Sequence, residues 1–168
     1  ESAKKHVSDM ISNGADVIDL GAESTRSGFT DVDDDFQIKT LLPVVDFIKN
    51  NYNIPISIDT RSSKVAMAFE EHNIQFINDV SSGFHDNNML DTVSKIGCAF
   101  IMTHMPKEHK EGKVKIFNDI VTDINKYFVE RIKSCQKAGI ETEKLIIDPG
   151  VGFGKSGEDN ITLLNNIE

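Results

Sequence analysis

The chain has 168 residues, 39% of them apolar and 27% charged, with a formal net charge of −9, which is the size of one ordinary domain and the composition of a soluble globular protein. That negative balance argues against a general nucleic-acid surface, which needs a basic stripe, but leaves room for a small anionic substrate held by a few local donors. No apolar run approaches the roughly 18 residues of a membrane span, no basic-apolar leader opens the chain, and Cys98 and Cys135 fit no metal-type spacing, so reduced thiols in a cytosolic protein are expected, with Cys98 a small core residue.

Residues 2–13 carry a helical pattern closed by Asn13-Gly14, a common C-terminal signal. Ala15–Gly21 reads as the first strand and Ala22–Asp34 as a long polar loop, before an amphipathic helix over Phe36–Asn51 with Leu41, Leu42, Val45 and Ile48 on one side. The acidic run Asp31–Asp35 is expected to be a solvated loop that favourably charges this helix's N-terminus, rather than a metal site. Ile54–Asp59 is the second strand, Ser62–His72 a helix, Ile74–Val80 the third strand, and Met89–Ile96 a short helix ended by Gly97. Cys98–His104 is the fourth strand, Pro106–Lys115 a charged loop, and Phe117–Ala138 a long helix closed by Gly139. Lys144–Asp148 is the fifth strand, Pro149–Glu158 a Gly-rich loop, and Asn160–Ile167 the last helix.

Strict alternation of strands and helices implies a parallel sheet with right-handed crossovers. A (β/α)8 TIM barrel and an open doubly wound sheet both place ligands at the carboxyl ends of the strands. Here Ile56–Asp59, Phe76–Asn78, Phe100–His104 and Leu145–Asp148 are short apolar runs that all end in a polar residue. Polar strand ends throughout, rather than at one switch point, favour the barrel. Five strands and six helices cannot close a barrel of eight, so residues 1–168 are expected to be part of one such domain.

Asp59 ends its strand, and Ser62 is equally able to cap the next helix, which frees Asp59 for a ligand. Asn78 and Asp79 are adjacent, so they face opposite ways, and the sequence does not say which faces inward. Asp148 is followed by Pro149 and then by Gly150, Gly152 and Gly154, a loop that permits close backbone approach to a ligand but lacks the spacing of a phosphate-cradling GxxxxGK[ST] loop. Lys155 reads as a solvated side chain or a helper to an anion. Thr25 and Arg26 follow the first strand; the arginine offers a planar fork to phosphate or carboxylate. His104 stands alone and reads as a packed residue, and neither a Ser-His-Asp or Cys-His set nor a zinc cluster is legible. Carboxylates and an amide at neighbouring strand ends suit a flat nitrogen heterocycle, and the Thr-Arg loop suits an anionic substituent on it.

Ile18-Asp19-Leu20-Gly21-Ala22-Glu23-Ser24-Thr25-Arg26, Ser57-Ile58-Asp59-Thr60, Ile77-Asn78-Asp79-Val80-Ser81 and Ile147-Asp148-Pro149-Gly150-Val151-Gly152-Phe153-Gly154-Lys155 together resemble the dihydropteroate synthase family, in order and along the whole chain. The resemblance implies a pterin-binding (β/α)8 barrel, here its strands 2 to 6. It also implies a cytoplasmic transferase of folate biosynthesis, a sulfonamide target and homodimer, that joins 6-hydroxymethyl-7,8-dihydropterin diphosphate to 4-aminobenzoate and releases diphosphate. It implies that Asp59, Asn78, Asp148, Gly152 and Phe153 hold the pterin, with Asp59 also stabilising the reacting ring, and that Thr25 and Arg26 lie near diphosphate and aminobenzoate. Magnesium is implied as a helper for diphosphate, its asparagine ligand belonging to a barrel strand not represented in these residues. Two departures stand out: Ser27 replaces the proline usual after Thr-Arg, which is expected to loosen the loop, and Thr103 replaces a methionine before His104. Two rivals share the barrel: a pterin-binding methyltetrahydrofolate:corrinoid methyltransferase domain, against which the Ser24-Thr25-Arg26 loop argues, and a non-catalytic pterin-binding barrel, against which Arg26 argues.

Overall fold

Five short strands, β1 (Ile18–Gly21), β2 (Ile56–Asp59), β3 (Phe76–Asp79), β4 (Ala99–Thr103) and β5 (Leu145–Asp148), form a parallel sheet in which each pairs with the next in sequence. The structure is a computed structural model and describes residues 2–167. The helices are α1 (Ser2–Ser12), α2 (Asp34–Asn51), α3 (Ser63–Met67), α4 (Met89–Ile96), α5 (Lys107–Lys110), α6 (Ile120–Lys137) and α7 (Gly157–Leu164). A doubly wound sheet reverses its strand order at a switch point. This sheet runs β1-β2-β3-β4-β5 without reversal, which is the winding of successive units around a (β/α)8 barrel.

One face of the sheet forms the core. Ile18, Ile56, Ile58, Ile77, Phe100 and Met102 are buried there, in one cluster with Val45 and Ile48 of α2, Val65 and Ala66 of α3, Val93 of α4, and Ile124 and Phe128 of α6. Burial of this apolar surface is the main favourable contribution to folding. Cys98 and Cys135 are free and buried in the same cluster.

Local signals set the element ends. Asp33 caps α2 by accepting from Phe36 N at 3.1 Å, and Ser62 caps α3 by accepting from Val65 N. The long helix begins at Ile120, three residues later than the periodicity predicts, because the Asp119 carboxylate accepts from both the backbone N and the hydroxyl of Thr122 and so occupies the cap position. The expected helix over Ser62–His72 is interrupted: α3 stops at Met67, a 3-10 turn spans Glu70–His72, and Asn73 ends it in the left-handed region at φ 49°. Within the expected charged loop Pro106–Lys115, residues Lys107–Lys110 form the short helix α5, giving seven α-helices among the described residues rather than six, and the rest of the segment is loop. No helix among the described residues is long and apolar enough to cross a membrane.

Candidate active site

Ladder register settles which side chains share the face opposite the core. Gly21 pairs with Asp59, Asp59 with Asn78, Asn78 with Ile101, and Ile101 with Ile146. One layer further along, Thr103 pairs with Asp148. Side chains two apart share a face, so Asp19, Ser57, Asp59, Asn78, Thr103 and Asp148 all lie on the side that a barrel encloses. The ambiguity at Asn78-Asp79 is thereby resolved: Asn78 faces this side. Asp79 is fully buried on the other, where its carboxylate accepts from Ser81 N, Ser81 Oγ and Gly83 N at 2.7 Å each and shapes the turn after β3.

Asp59 makes no capping bond, since Ser62 does that work. Gly21 leaves it room: a Cβ there would stand 3.1 Å from Asp59 Oδ2. Burial pushes the Asp59 carboxyl up to about 7, and the negative charges of Asp19, Asp79 and Glu23 add to the effect, offset in part by Arg61. Two polar atoms on this face, Ser57 Oγ and Asn78 Oδ1, are buried with no hydrogen-bond partner among the described residues. A buried polar atom left bare costs free energy unless something pairs with it, so these atoms mark where a polar ligand fits. Asp148 is oriented by Thr103 Oγ1, which donates to its Oδ2 at 3.2 Å, and by Gly150 N, which donates to its Oδ1 at 2.8 Å. Thr103, which stands where a methionine is usual, thus positions a carboxylate.

The loop after β1 lies across these strand ends and is firmly tied. His109 of α5 has its Nε2 2.9 Å from the Thr25 carbonyl oxygen, and Ser27 Oγ donates to the His109 carbonyl at 3.3 Å. The expected loosening at Ser27 is therefore countered by a bond a proline could not make. The His109 ring also packs edge-on against Phe153, joining the loop that carries Thr25 to the one that carries Gly152 and Phe153. Arg26 is exposed and pairs with no acid among the described residues, leaving its guanidinium available to an anion.

Sequence reasoning missed Arg61. Its guanidinium is buried, bonds Glu23 and Asp31, lies 3.3 Å from His85 Nδ1, and stacks over Phe29 at 4.7 Å. Asp31 also takes Lys110 at 2.7 Å, and these two partners hold its carboxyl at about 2. The acidic run is thus only partly a solvated helix start: Asp33 caps, whereas Asp31 fastens the loop. Lys155, read from the sequence as a solvated side chain or a helper to an anion, is neither solvated nor paired with an acid among the described residues. It is buried, donating to the carbonyls of His104, Gly150 and Phe153 at 2.9, 2.7 and 3.2 Å, because an ammonium has three donors to satisfy three loop carbonyls. His104 packs edge-on to Tyr127 at 4.8 Å, and burial first, then the Lys155 and Lys115 charges, push it down to about 3. Its ring is therefore held in the neutral form, with one nitrogen a donor and the other an acceptor. No group of three acid, histidine or cysteine side chains among the described residues is arranged for a metal ion.

The chain is similar to known proteins along nearly its whole length. A family model described as "Pterin binding enzyme" matches residues 1–168. A dihydropteroate synthase of Clostridium beijerinckii is 38% identical over 166 residues, covering 99% of this chain and 60% of its own. A Xanthomonas albilineans dihydropteroate synthase solved with 4-aminobenzoic acid superposes with a TM-score of 0.92 at 33% identity, over 99% of this chain and 59% of that one. A clostridial dihydropteroate synthase (FolP, Clostridium difficile) solved in the presence of pteroic acid gives 0.89 at 36% identity, over 97% and 60%. The chain thus spans about three fifths of the length of the curated relatives it matches.

Proposed function

The chain belongs to the family of pterin-binding enzymes, and from that premise we propose that it forms the pterin-binding part of a dihydropteroate synthase, a cytoplasmic transferase of folate biosynthesis that acts as a homodimer. Its substrates are 6-hydroxymethyl-7,8-dihydropterin diphosphate and 4-aminobenzoate. The observation that carries the reading is the set Asp59, Asn78 and Asp148 on one sheet face, with Asn78 Oδ1 buried and unpartnered among the described residues. Those oxygens accept from the ring N–H and amino groups of a pterin, and Gly152 and Phe153 flank it.

In this reading the bond from the exocyclic methylene to the diphosphate oxygen breaks, and its electron pair leaves with diphosphate. Positive charge develops on the methylene and spreads into the ring, where the Asp59 carboxylate stabilises it. Arg26, exposed beside Thr25 on the loop after β1, supplies a counter-charge for the departing group. The amine of 4-aminobenzoate then forms the new C–N bond, and the proton it sheds passes to solvent water. No protein nucleophile is required, in keeping with a site built from acceptors and one arginine. Among the described residues no three acid, histidine or cysteine side chains are grouped to hold magnesium, and no step of this scheme is routed through it.

The experiment is a coupled diphosphate-release assay on the full-length protein. Release that depends on 4-aminobenzoate is expected. Active, pterin-binding protein that releases none would rule the synthase out and leave a methyltransferase or a non-catalytic binder.

A further inference from the structure

Asp19 lies on the site face of β1 and takes no part in the scheme above. Its Oδ2 accepts from Asn78 Nδ2 at 3.3 Å. The two residues sit on the strands flanking β2, and the β2 residue level with Asp19 is Ser57, small enough for them to meet across it. An ionised carboxylate only accepts, whereas an amide has one accepting end and one donating end. The NH2 of Asn78 must therefore turn toward Asp19, and its oxygen must turn away. That oxygen is the buried atom with no partner among the described residues.

We propose that Asp19 is a positioning residue: it fixes the Asn78 amide with its oxygen toward the ligand, so that Asp59, Asn78 and Asp148 form an acceptor set that selects heterocycle edges rich in N–H and NH2 donors. The inference rests on the pterin reading and sharpens it. Asn78 alone would serve a donor or an acceptor on the ligand; held by Asp19 it serves a donor.

The test is calorimetric titration of the full-length protein with pteroic acid and with its 2-oxo analogue, in which the exocyclic amino donor is replaced by a carbonyl acceptor. Titrations at about pH 8.5, well above the Asp59 value of about 7, keep Asp59 ionised in every variant. The substitution is Asp19→Asn, which is isosteric; the introduced amide both donates and accepts, so Asn78 is no longer fixed. The wild type is expected to prefer pteroic acid, and Asp19→Asn to reduce that preference by roughly tenfold. In an Asn78→Ala background the same substitution is expected to change the preference by less than about twofold, because its route of action is gone. An unchanged preference in Asp19→Asn, or an equal loss in both backgrounds, overturns the positioning role alone. Wild-type protein that binds neither heterocycle overturns the pterin reading, and the role of Asp19 falls with it.

Discussion

Asp59 carries two opposite pH dependences. Its carboxyl is raised to about 7 from 3.8, by burial first and then by the acids around it. Between those values the folded protein binds more protons than the unfolded chain, so this group makes stability fall as pH rises, and the loss is complete above about pH 7. Asp59→Asn should therefore stabilise the full-length protein near neutrality and flatten its pH dependence between about pH 5 and 8; urea unfolding across that range checks it, and an unaltered slope would contradict the assignment. Pterin affinity should move the other way, weakening as pH falls below about 7 and Asp59 takes up a proton. Asp59, Asn78 and Asp148 were legible because each closes an apolar run. The inward direction of Asn78 was not, since Asn78 and Asp79 are neighbours and only the ladder register separates them. Asp19 escaped because it stands within a strand rather than at its end, and Arg61 because an arginine just ahead of a helix start reads as surface charge.

At the scale of elements, the loop after β1 is organised by groups far away in sequence. Arg61 joins it through Glu23 and Asp31, and the Glu23 side chain is itself only 7% exposed. Removing the guanidinium leaves a buried carboxylate without its partner. Arg61→Met should cost roughly 3 kcal/mol by denaturant unfolding and speed amide exchange over residues 22–33; exchange unchanged there would show that the loop is held by α5 alone. Gly150 fixes the other loop. At φ +71°, with a Cβ position 2.2 Å from the His104 carbonyl oxygen, it admits no side chain without moving the backbone. Gly150→Ala should destabilise by roughly 3 kcal/mol, also dislodging Lys155, which donates to both the Gly150 and His104 carbonyls. A near-neutral melting temperature would refute that. Element existence and order were readable from periodicity; these ties were not, because they pair residues up to 84 positions apart. The four-residue helix α5 was hidden by its charged composition, Lys107-Glu108-His109-Lys110, which has no apolar stripe.

At the scale of the molecule, the sequence pattern implied a barrel, and the unbroken strand order agrees with it. Strand β5 pairs with β4 and exposes Ile146 at 41% and Ile147 at 48%. A groove of about 610 Å³ between α6, α7 and β5 is lined by Val121, Phe128, Ile147, Leu163 and Ile167. Apolar surface of that kind favours association. Residues 1–168 expressed alone should therefore bind a hydrophobic dye and self-associate on size exclusion, and the full-length protein should do neither to the same degree; a monomeric, dye-silent fragment would contradict this. The proposed activity requires that the strand-end acceptors hold a pterin. Calorimetry of the full-length protein with 6-hydroxymethyl-7,8-dihydropterin diphosphate, for the wild type and for Asp148→Asn, tests that most directly. The wild type is expected to bind and the variant to lose at least roughly tenfold in affinity; equal affinity in the two proteins would contradict the role of Asp148.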